Sequence, residues 1–97
     1  MEYGICPTCG YEMFPVLPQL PCGHEVAPML EALDEPGIVY SWTRVWLDDG
    51  TSRVIAMVDF REGRVRVTAP VLDDDVEIGS SLRIRPGTTT PYAFVAA

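Results

Sequence analysis

The residues best suited to chemistry lie between Cys6 and His24. Two residues separate Cys6 from Cys9, twelve separate Cys9 from Cys22, and one separates Cys22 from His24. Gly10 lets the chain fold back after the first pair, so that backbone N–H groups can point at the sulfurs. Three thiolates and one imidazole form a closed tetrahedral set for zinc. We therefore expect a structural zinc site with the ligands Cys6, Cys9, Cys22 and His24.

The sequence alone also allows a different fourth ligand, a different metal, or no metal at these residues. The one-residue spacer before His24 is shorter than usual, and Glu25 is an alternative fourth ligand. Iron of the rubredoxin type is disfavoured because it requires four thiolates. Reduced cysteines without a metal are the remaining alternative. Four protein ligands would leave no coordination position for a substrate, so a bound zinc would be structural.

Neither a Cys–His nor a Ser–His–Asp catalytic set can be assembled from this chain if its histidine binds metal. His24 is the only histidine, and as a metal ligand it could not also act as a general base. Lysine is absent, which excludes Schiff-base chemistry. Asp59 is a lone carboxylate on a predicted strand, where a hydrogen-bonding role is more common than catalysis. We expect that the chain is not an enzyme by itself.

Charge and composition narrow the function classes. The chain has 97 residues and a formal net charge of -7, and residues 1–36 contain six acids but no Arg or Lys. This balance counts against a nucleic-acid partner, because such proteins usually present a basic surface. No apolar run is long enough to span a membrane. Three cysteines and the absence of a signal-peptide pattern near Met1 lead us to expect a cytoplasmic protein.

Period-two patterns dominate the chain after Gly37. They predict strands over residues 38–47, 53–60, 64–71, 82–85 and 92–95, with glycine turns between the first three. Five closely spaced strands suggest a small antiparallel barrel of the OB type. Three prolines favour extended backbone over residues 11–21, whereas residues 27–34 fit either a short helix or an extended edge. We predict an all-β protein, with a zinc ribbon and connector over residues 1–35 and a barrel over residues 36–97.

The first barrel strand presents an aromatic surface. Strict alternation places Tyr40, Trp42 and Trp46 on one face, which we interpret as a partner interface if it lies outside the barrel. Its interior would then be formed by the remaining apolar residues, namely Val39, Val45 and Leu47. The alternative is that the strand bends and one tryptophan packs beneath the zinc ribbon.

Four arginines alternate outward on two later strands. Arg64, Arg66, Arg83 and Arg85 could bind carboxylates of a partner or the phosphates of coenzyme A. In the alternative interpretation they are solvated and paired with the acidic run at residues 73–75. That run lacks the spacing of a calcium loop and is expected to be a solvated loop.

Three strings of this sequence resemble a known family, the one called domain of unknown function thirty-five. The family's Gly-x-Val-Tyr-Ser-aromatic-Thr string is matched by residues 37–43. Its Ala-x-Val-Asp-aliphatic-x-x-Gly element is similar to residues 56–63, with Phe60 at the aliphatic position, and its x-Ile-Gly string is similar to residues 77–79. The family's usual second Cys-x-x-Cys is replaced here by Cys22-Gly23-His24.

The resemblance implies a rubredoxin-like zinc ribbon followed by a five-stranded OB-fold barrel. It also implies a non-catalytic accessory subunit of a thiolase-like enzyme, which breaks or forms carbon–carbon bonds or transfers acyl groups on acyl-CoA substrates. Such a subunit would form a hetero-oligomer with its thiolase-fold partner, stabilise it and help shape the acyl-CoA site. The alternative function is a zinc-ribbon/OB module that binds single-stranded nucleic acid through its aromatic and arginine side chains.

Overall fold

A computed structural model describes residues 1–72, 76–87 and 90–97. Among these residues the regular structure is β-strand, apart from one 3-10 turn. The chain forms two compact units, Met1–Leu33 and Asp34–Ala97. The predicted all-β class is therefore correct. The described residues contain no helix of the length and apolarity needed to cross a membrane.

The first unit is a three-stranded antiparallel sheet of order β2-β1-β3. Its strands are β1 (Glu2–Ile5), β2 (Glu12–Met13) and β3 (Met29–Ala32). The segment that fitted either a helix or an extended edge is thus extended, and β3 lies against β1. β1 was not predicted, because four residues are too few to show a period. A small apolar cluster of Cys6, Met13 and Leu20, with Val16 and Cys22 packed against it, forms the interior.

The second unit is a closed five-stranded barrel of order β4-β5-β6-β8-β7. Its strands are β4 (Gly37–Trp46), β5 (Ser52–Phe60), β6 (Val65–Val71), β7 (Ser81–Pro86) and β8 (Tyr92–Ala96). The β6–β8 pairing is parallel and the other neighbouring strands are antiparallel. This is the small Greek-key barrel expected of an OB-fold, and it confirms the predicted architecture.

The barrel interior follows from the alternation of β5 and β6. Every second residue from Val54 to Phe60, and from Val65 to Val71, is buried, as the pattern predicted. Phe94 of β8 is fully buried and lies 6.2 Å from Phe60, measured between ring centroids. Gly37 starts β4 where the interior is tightest: a Cβ there would overlap Val58 and approach the Phe60 ring to 2.7 Å. Only glycine fits this position without a shift of its neighbours.

A β-bulge at Tyr40 changes the faces of β4. Val39 lies opposite Val58 on β5, whereas Ser41 lies opposite Met57, so Tyr40 is the extra residue. A one-residue shift moves every later side chain to the other face of the sheet. Trp42 consequently lies opposite Ala56, on the face that lines the barrel. The prediction that Tyr40, Trp42 and Trp46 share one face was wrong.

The same bulge explains the exposure of two residues that were predicted to be internal. Val39 precedes the bulge and is buried, but Val45 and Leu47 follow it and are exposed. Val45 lies opposite Arg53, away from the buried face of β5. Among the described residues, β7 pairs with β4 only at Gly37 and Ile38. Within the described part of the barrel, the outer half of β4 therefore pairs with β5 only, as one arm of a long hairpin.

The hairpin tip is ordered by local hydrogen bonds. The Thr51 backbone N–H and hydroxyl both donate to Asp49 Oδ1, at 3.0 and 2.6 Å. Both bonds lower the pKa of the Asp49 carboxyl below its ordinary value, and the bond from the Thr51 hydroxyl has the larger effect. Gly50 has a φ of +86°, which other residues adopt at a cost. The turn predicted at residues 48–50 is thus confirmed.

The acidic run predicted as a solvated loop, residues 73–75, lies outside the described residues.

Candidate functional site

Four metal-binding side chains converge at one end of the first unit. The ligand atoms of Cys6, Cys9, Cys22 and His24 all lie within 4.8 Å of one another. His24 Nδ1 lies 3.6 Å from Cys6 Sγ and 3.3 Å from Cys22 Sγ. Cys6 is buried, Cys9 is exposed, and the other two are half-buried. The sequence prediction that these four residues meet is therefore correct at the level of geometry.

The spacing of these atoms fits tetrahedral zinc. Zinc binds sulfur at about 2.3 Å and imidazole nitrogen at about 2.0–2.1 Å, so tetrahedral angles give N···S separations of roughly 3.5 Å. The two distances from His24 Nδ1 bracket that value. A set of three thiolates and one imidazole is characteristic of structural zinc. Cys6, Cys9, Cys22 and His24 would hold the ion and leave no position open for a substrate.

Two backbone turns bring the ligands together. In the first, the Cys6 N–H donates to the Tyr11 carbonyl and the Gly10 N–H donates to the Cys6 carbonyl, both at 2.8 Å. In the second, the Gly23 N–H donates to the Leu20 carbonyl at 3.0 Å. Gly10 and Gly23 both have positive φ, +79° and +87°, so each turn depends on glycine. The Cys-Pro-Thr-Cys-Gly and Cys-Gly-His strings are therefore structural requirements as well as ligand sets.

The environment of Cys6 favours its thiolate. Burial alone would raise the pKa of the Cys6 thiol. Hydrogen bonds from the backbone of Cys9 and Thr8 and from the two neighbouring thiols outweigh this effect, and together they lower the pKa to about 6. For Cys9, the Tyr11 backbone lowers the pKa, but desolvation and the thiols of Cys22 and Cys6 together raise it. A cluster of thiols that share protons in this way is stabilised when a cation replaces those protons.

The aromatic residues of β4 occupy two surfaces. Tyr40 is 55% exposed, Trp42 42% and Trp46 71%. Trp42 and Trp46 lie on the barrel-lining face of the hairpin, opposite Ala56 and Ser52. Arg44 lies between them on that face and donates from Nη1 to Ser52 Oγ at 2.9 Å. We call the group of Trp42, Arg44 and Trp46 the hairpin patch.

Tyr40 belongs instead to a cluster on the outer surface of the barrel. The Arg66 guanidinium lies over the Tyr40 ring, 4.2 Å from its centroid. Arg66 also donates to both carboxylate oxygens of Asp59, from Nε at 2.6 Å and from Nη2 at 3.3 Å. The hydrogen bond to Asp59 raises the pKa of Arg66. Asp59, which the sequence presents as an isolated carboxylate, is thus half of an ion pair.

The other three predicted arginines have different surroundings. Arg64 donates from Nε to the Arg61 carbonyl at 3.0 Å. Arg83 donates to the Asp34 carbonyl, and Arg85 is exposed on β7. Pairing with the acids at residues 73–75, the alternative drawn from the sequence, lies outside the described residues. One of the four predicted arginines, Arg66, forms its ion pair with a different acid, Asp59.

One polar contact gave no signal in the sequence. Glu35 accepts hydrogen bonds from the Arg61 backbone N–H at 3.2 Å and from Arg61 Nη1 at 3.3 Å. Arg61 and Glu62 have φ of 53° and 56°, the left-handed region that non-glycine residues rarely adopt. The Glu35 contact holds this turn against that preference. Glu35 and Arg61 also line a surface depression of about 420 Å³ beside Asp59. The partners are 26 positions apart in the sequence, so no local pattern could have found them.

The fold and the metal-binding residues define a zinc-ribbon/OB-fold protein. No family model matches the chain, and no curated protein matches it. Solved structures that share its fold include the following two. One is a chain of the Ltp2-ChsH2(DUF35) aldolase, with a TM-score of 0.76 and 21% identity over 99% of this chain and 84% of that chain. The other is a DUF35-family protein of unknown function from Sulfolobus solfataricus, with a TM-score of 0.70 and 18% identity over 99% of this chain and 75% of that one.

Both structures carry the DUF35 designation, which is the family that the sequence strings resemble. The likeness covers 99% of this chain in both cases and so includes residues of both units. At these identities it establishes the fold. The family resemblance drawn from residues 37–43, 56–63 and 77–79 is therefore confirmed as a shared DUF35 fold.

Proposed function

We propose that this protein is a non-catalytic, DUF35-type accessory subunit of a thiolase-like enzyme that acts on acyl-CoA substrates in the cytoplasm. The partner would supply the catalytic residues and would break or form carbon–carbon bonds or transfer acyl groups. This chain would stabilise the partner and help shape its acyl-CoA site. The observation that carries the proposal is the full-length structural likeness to a chain of the Ltp2-ChsH2(DUF35) aldolase.

The chemistry of the chain supports an accessory role. Its single histidine lies among the metal-binding residues, and Asp59 is held by Arg66. A four-ligand zinc would offer a substrate no coordination position. The described surface exposes large aromatic side chains, and exposed aromatic side chains favour the binding of another protein.

The hairpin patch is the strongest candidate for the partner interface. Tryptophan and arginine are the side chains most often responsible for binding energy between proteins. Trp46 is mostly exposed on a hairpin that extends past the β4–β7 pairing. Burial of two indole rings against a thiolase-fold surface would remove this apolar area from water. Tyr40 is a second, separate contact point on the outer surface.

A coenzyme A phosphate would find its best contacts away from Arg66. The Asp59 carboxylate already neutralises Arg66, so an incoming phosphate would have to displace it. Arg83 donates to a neutral carbonyl, and Arg85 is exposed two residues further along β7. We assign the phosphate-contact role to Arg83 and Arg85 before Arg64 and Arg66.

Co-expression with a candidate thiolase-fold protein from the same organism tests the proposal. We expect the two chains to purify together and to elute as one hetero-oligomer whose mass is measured by light scattering. The matched control replaces the partner with an unrelated thiolase-fold protein, which should elute separately. Failure to associate with any such candidate at any concentration, with zinc bound and the fold intact, would refute the accessory role.

A further inference from the structure

His24 offers two nitrogens to a metal, and the structure distinguishes between them. The short N···S separations to Cys6 and Cys22 both originate at Nδ1, the ring nitrogen nearer to the backbone. Only one residue separates Cys22 from His24, so the two side chains leave the same tight turn. A ligand atom close to the backbone suits such a short spacer better than the distal Nε2.

We propose that His24 binds zinc through Nδ1 as a neutral imidazole and keeps its ring proton on Nε2, facing the adjacent cavity. A neutral imidazole has one N–H and one lone pair, so coordination at Nδ1 fixes the proton on Nε2. A thiolate at this position, as in a four-cysteine ribbon, would offer no such donor. The substitution of Cys by His therefore adds a hydrogen-bond donor at the edge of the zinc site.

The cavity beside His24 has room for an acceptor. Its volume is about 550 Å³, and Gln19, His24, Glu25 and Val26 are among the residues that line it. Gln19 and Glu25 are the lining residues whose side chains carry oxygen acceptors. Metal-bound histidines usually donate their second N–H to a carboxylate, a carbonyl or water, which orients the ring. Glu25 lines this cavity, and its carboxylate would accept this N–H bond in place of binding the metal.

The choice of ligand also changes the charge of the site. Zinc with three thiolates and a neutral imidazole has a net charge of -1, whereas four thiolates would give -2. Residues 1–36 already contain six acids and no Arg or Lys. His24 thus removes one negative charge from an acidic segment while the ligand set stays complete.

Nuclear magnetic resonance of the zinc-loaded wild-type protein tests this assignment directly. The chain has one histidine, so long-range ¹H–¹⁵N correlations of the ring need no further assignment. We expect a protonated Nε2 and an unprotonated Nδ1, and exchange of zinc for ¹¹³Cd should give a coupling to Nδ1. A proton on Nδ1, a cadmium coupling to Nε2, or a ring spectrum insensitive to metal would each overturn the proposal. None of these results depends on the presence of a partner protein.

Discussion

Trp42 and Ala56 lie directly opposite each other on β4 and β5, on the face that lines the barrel. Ala56 is fully buried, yet Trp42 is partly exposed, because β4 has already passed its pairing with β7. This arrangement exists because of the bulge at Tyr40. Without the bulge, the tryptophans would lie on the outer surface beside Tyr40, and the protein would have one aromatic surface instead of two.

Replacement of Trp46 by alanine should weaken partner binding without unfolding the barrel. Trp46 is 71% exposed, so we expect its loss to change the free energy of unfolding by no more than about 0.5 kcal/mol. If it anchors the interface, binding should weaken by at least roughly thirtyfold, the effect of about 2 kcal/mol. Titration calorimetry with the thiolase-fold partner measures the change.

The matched control for Trp46 is Ile78→Ala. Ile78 is 72% exposed, and its neighbour Gly79 bonds to Val39 at the opposite end of β4. We expect this variant to bind the partner as the wild type does. Equal losses in the two variants would show that general apolar exposure, and not the hairpin patch, is responsible.

Replacement of Gly37 by alanine should destabilise the barrel. The added Cβ would overlap Val58 and lie 2.7 and 2.8 Å from two Phe60 ring carbons, so the interior must shift. Overpacking of this kind costs about 1–3 kcal/mol. Urea denaturation of the zinc-loaded protein, followed by tryptophan fluorescence, measures the loss.

Gly50→Ala tests the cost of backbone strain in the absence of steric overlap. A Cβ at Gly50 meets no atom within 4 Å, but the residue has a φ of +86°. This variant should lose only about 1–2 kcal/mol, the cost of a left-handed residue. If Gly37→Ala is as stable as the wild type, the tight contact with Val58 and Phe60 is refuted.

The zinc ligands should respond differently from their neighbour Glu25. Cys9→Ser and His24→Ala each remove one ligand, and we expect loss of bound zinc together with most of the ribbon structure, since metal binding and folding are coupled. Glu25→Gln keeps all four ligands and should retain one zinc per chain. Plasma mass spectrometry gives the metal content, and circular dichroism reports the fold. A folded Cys9→Ser protein without metal would contradict a structural role for zinc.

Asp59→Asn should have little effect on either stability or activity. The Asp59–Arg66 pair is partly exposed, and such pairs contribute about 1 kcal/mol or less. If Asp59 were a general base, turnover by the assembled complex would fall by several orders of magnitude. Acyl-CoA turnover by the complex with the Asn variant distinguishes the two roles, and a severe loss with normal folding would favour catalysis by Asp59.

The sequence was sufficient wherever a local pattern determines structure. The spacing of Cys6, Cys9, Cys22 and His24 predicted the metal centre, and alternation in β5 and β6 predicted the barrel interior. The sequence pattern predicted the wrong faces for β4 after Tyr40, because a bulge depends on how two strands pair and does not appear in the period-two pattern of one strand. It also missed the Glu35–Arg61 contact, which depends on the β4–β5 pairing that places Ile38 opposite Asp59.

The most direct measurement is acyl-CoA turnover by the thiolase-fold partner with and without this chain. We predict that the chain alone has no activity and that the partner alone is unstable or weakly active. Addition of the zinc-loaded chain should raise turnover, and the Trp46→Ala variant should require a higher concentration for the same effect. Turnover by this chain alone, or a partner whose rate and stability are unchanged by it, would contradict an accessory role.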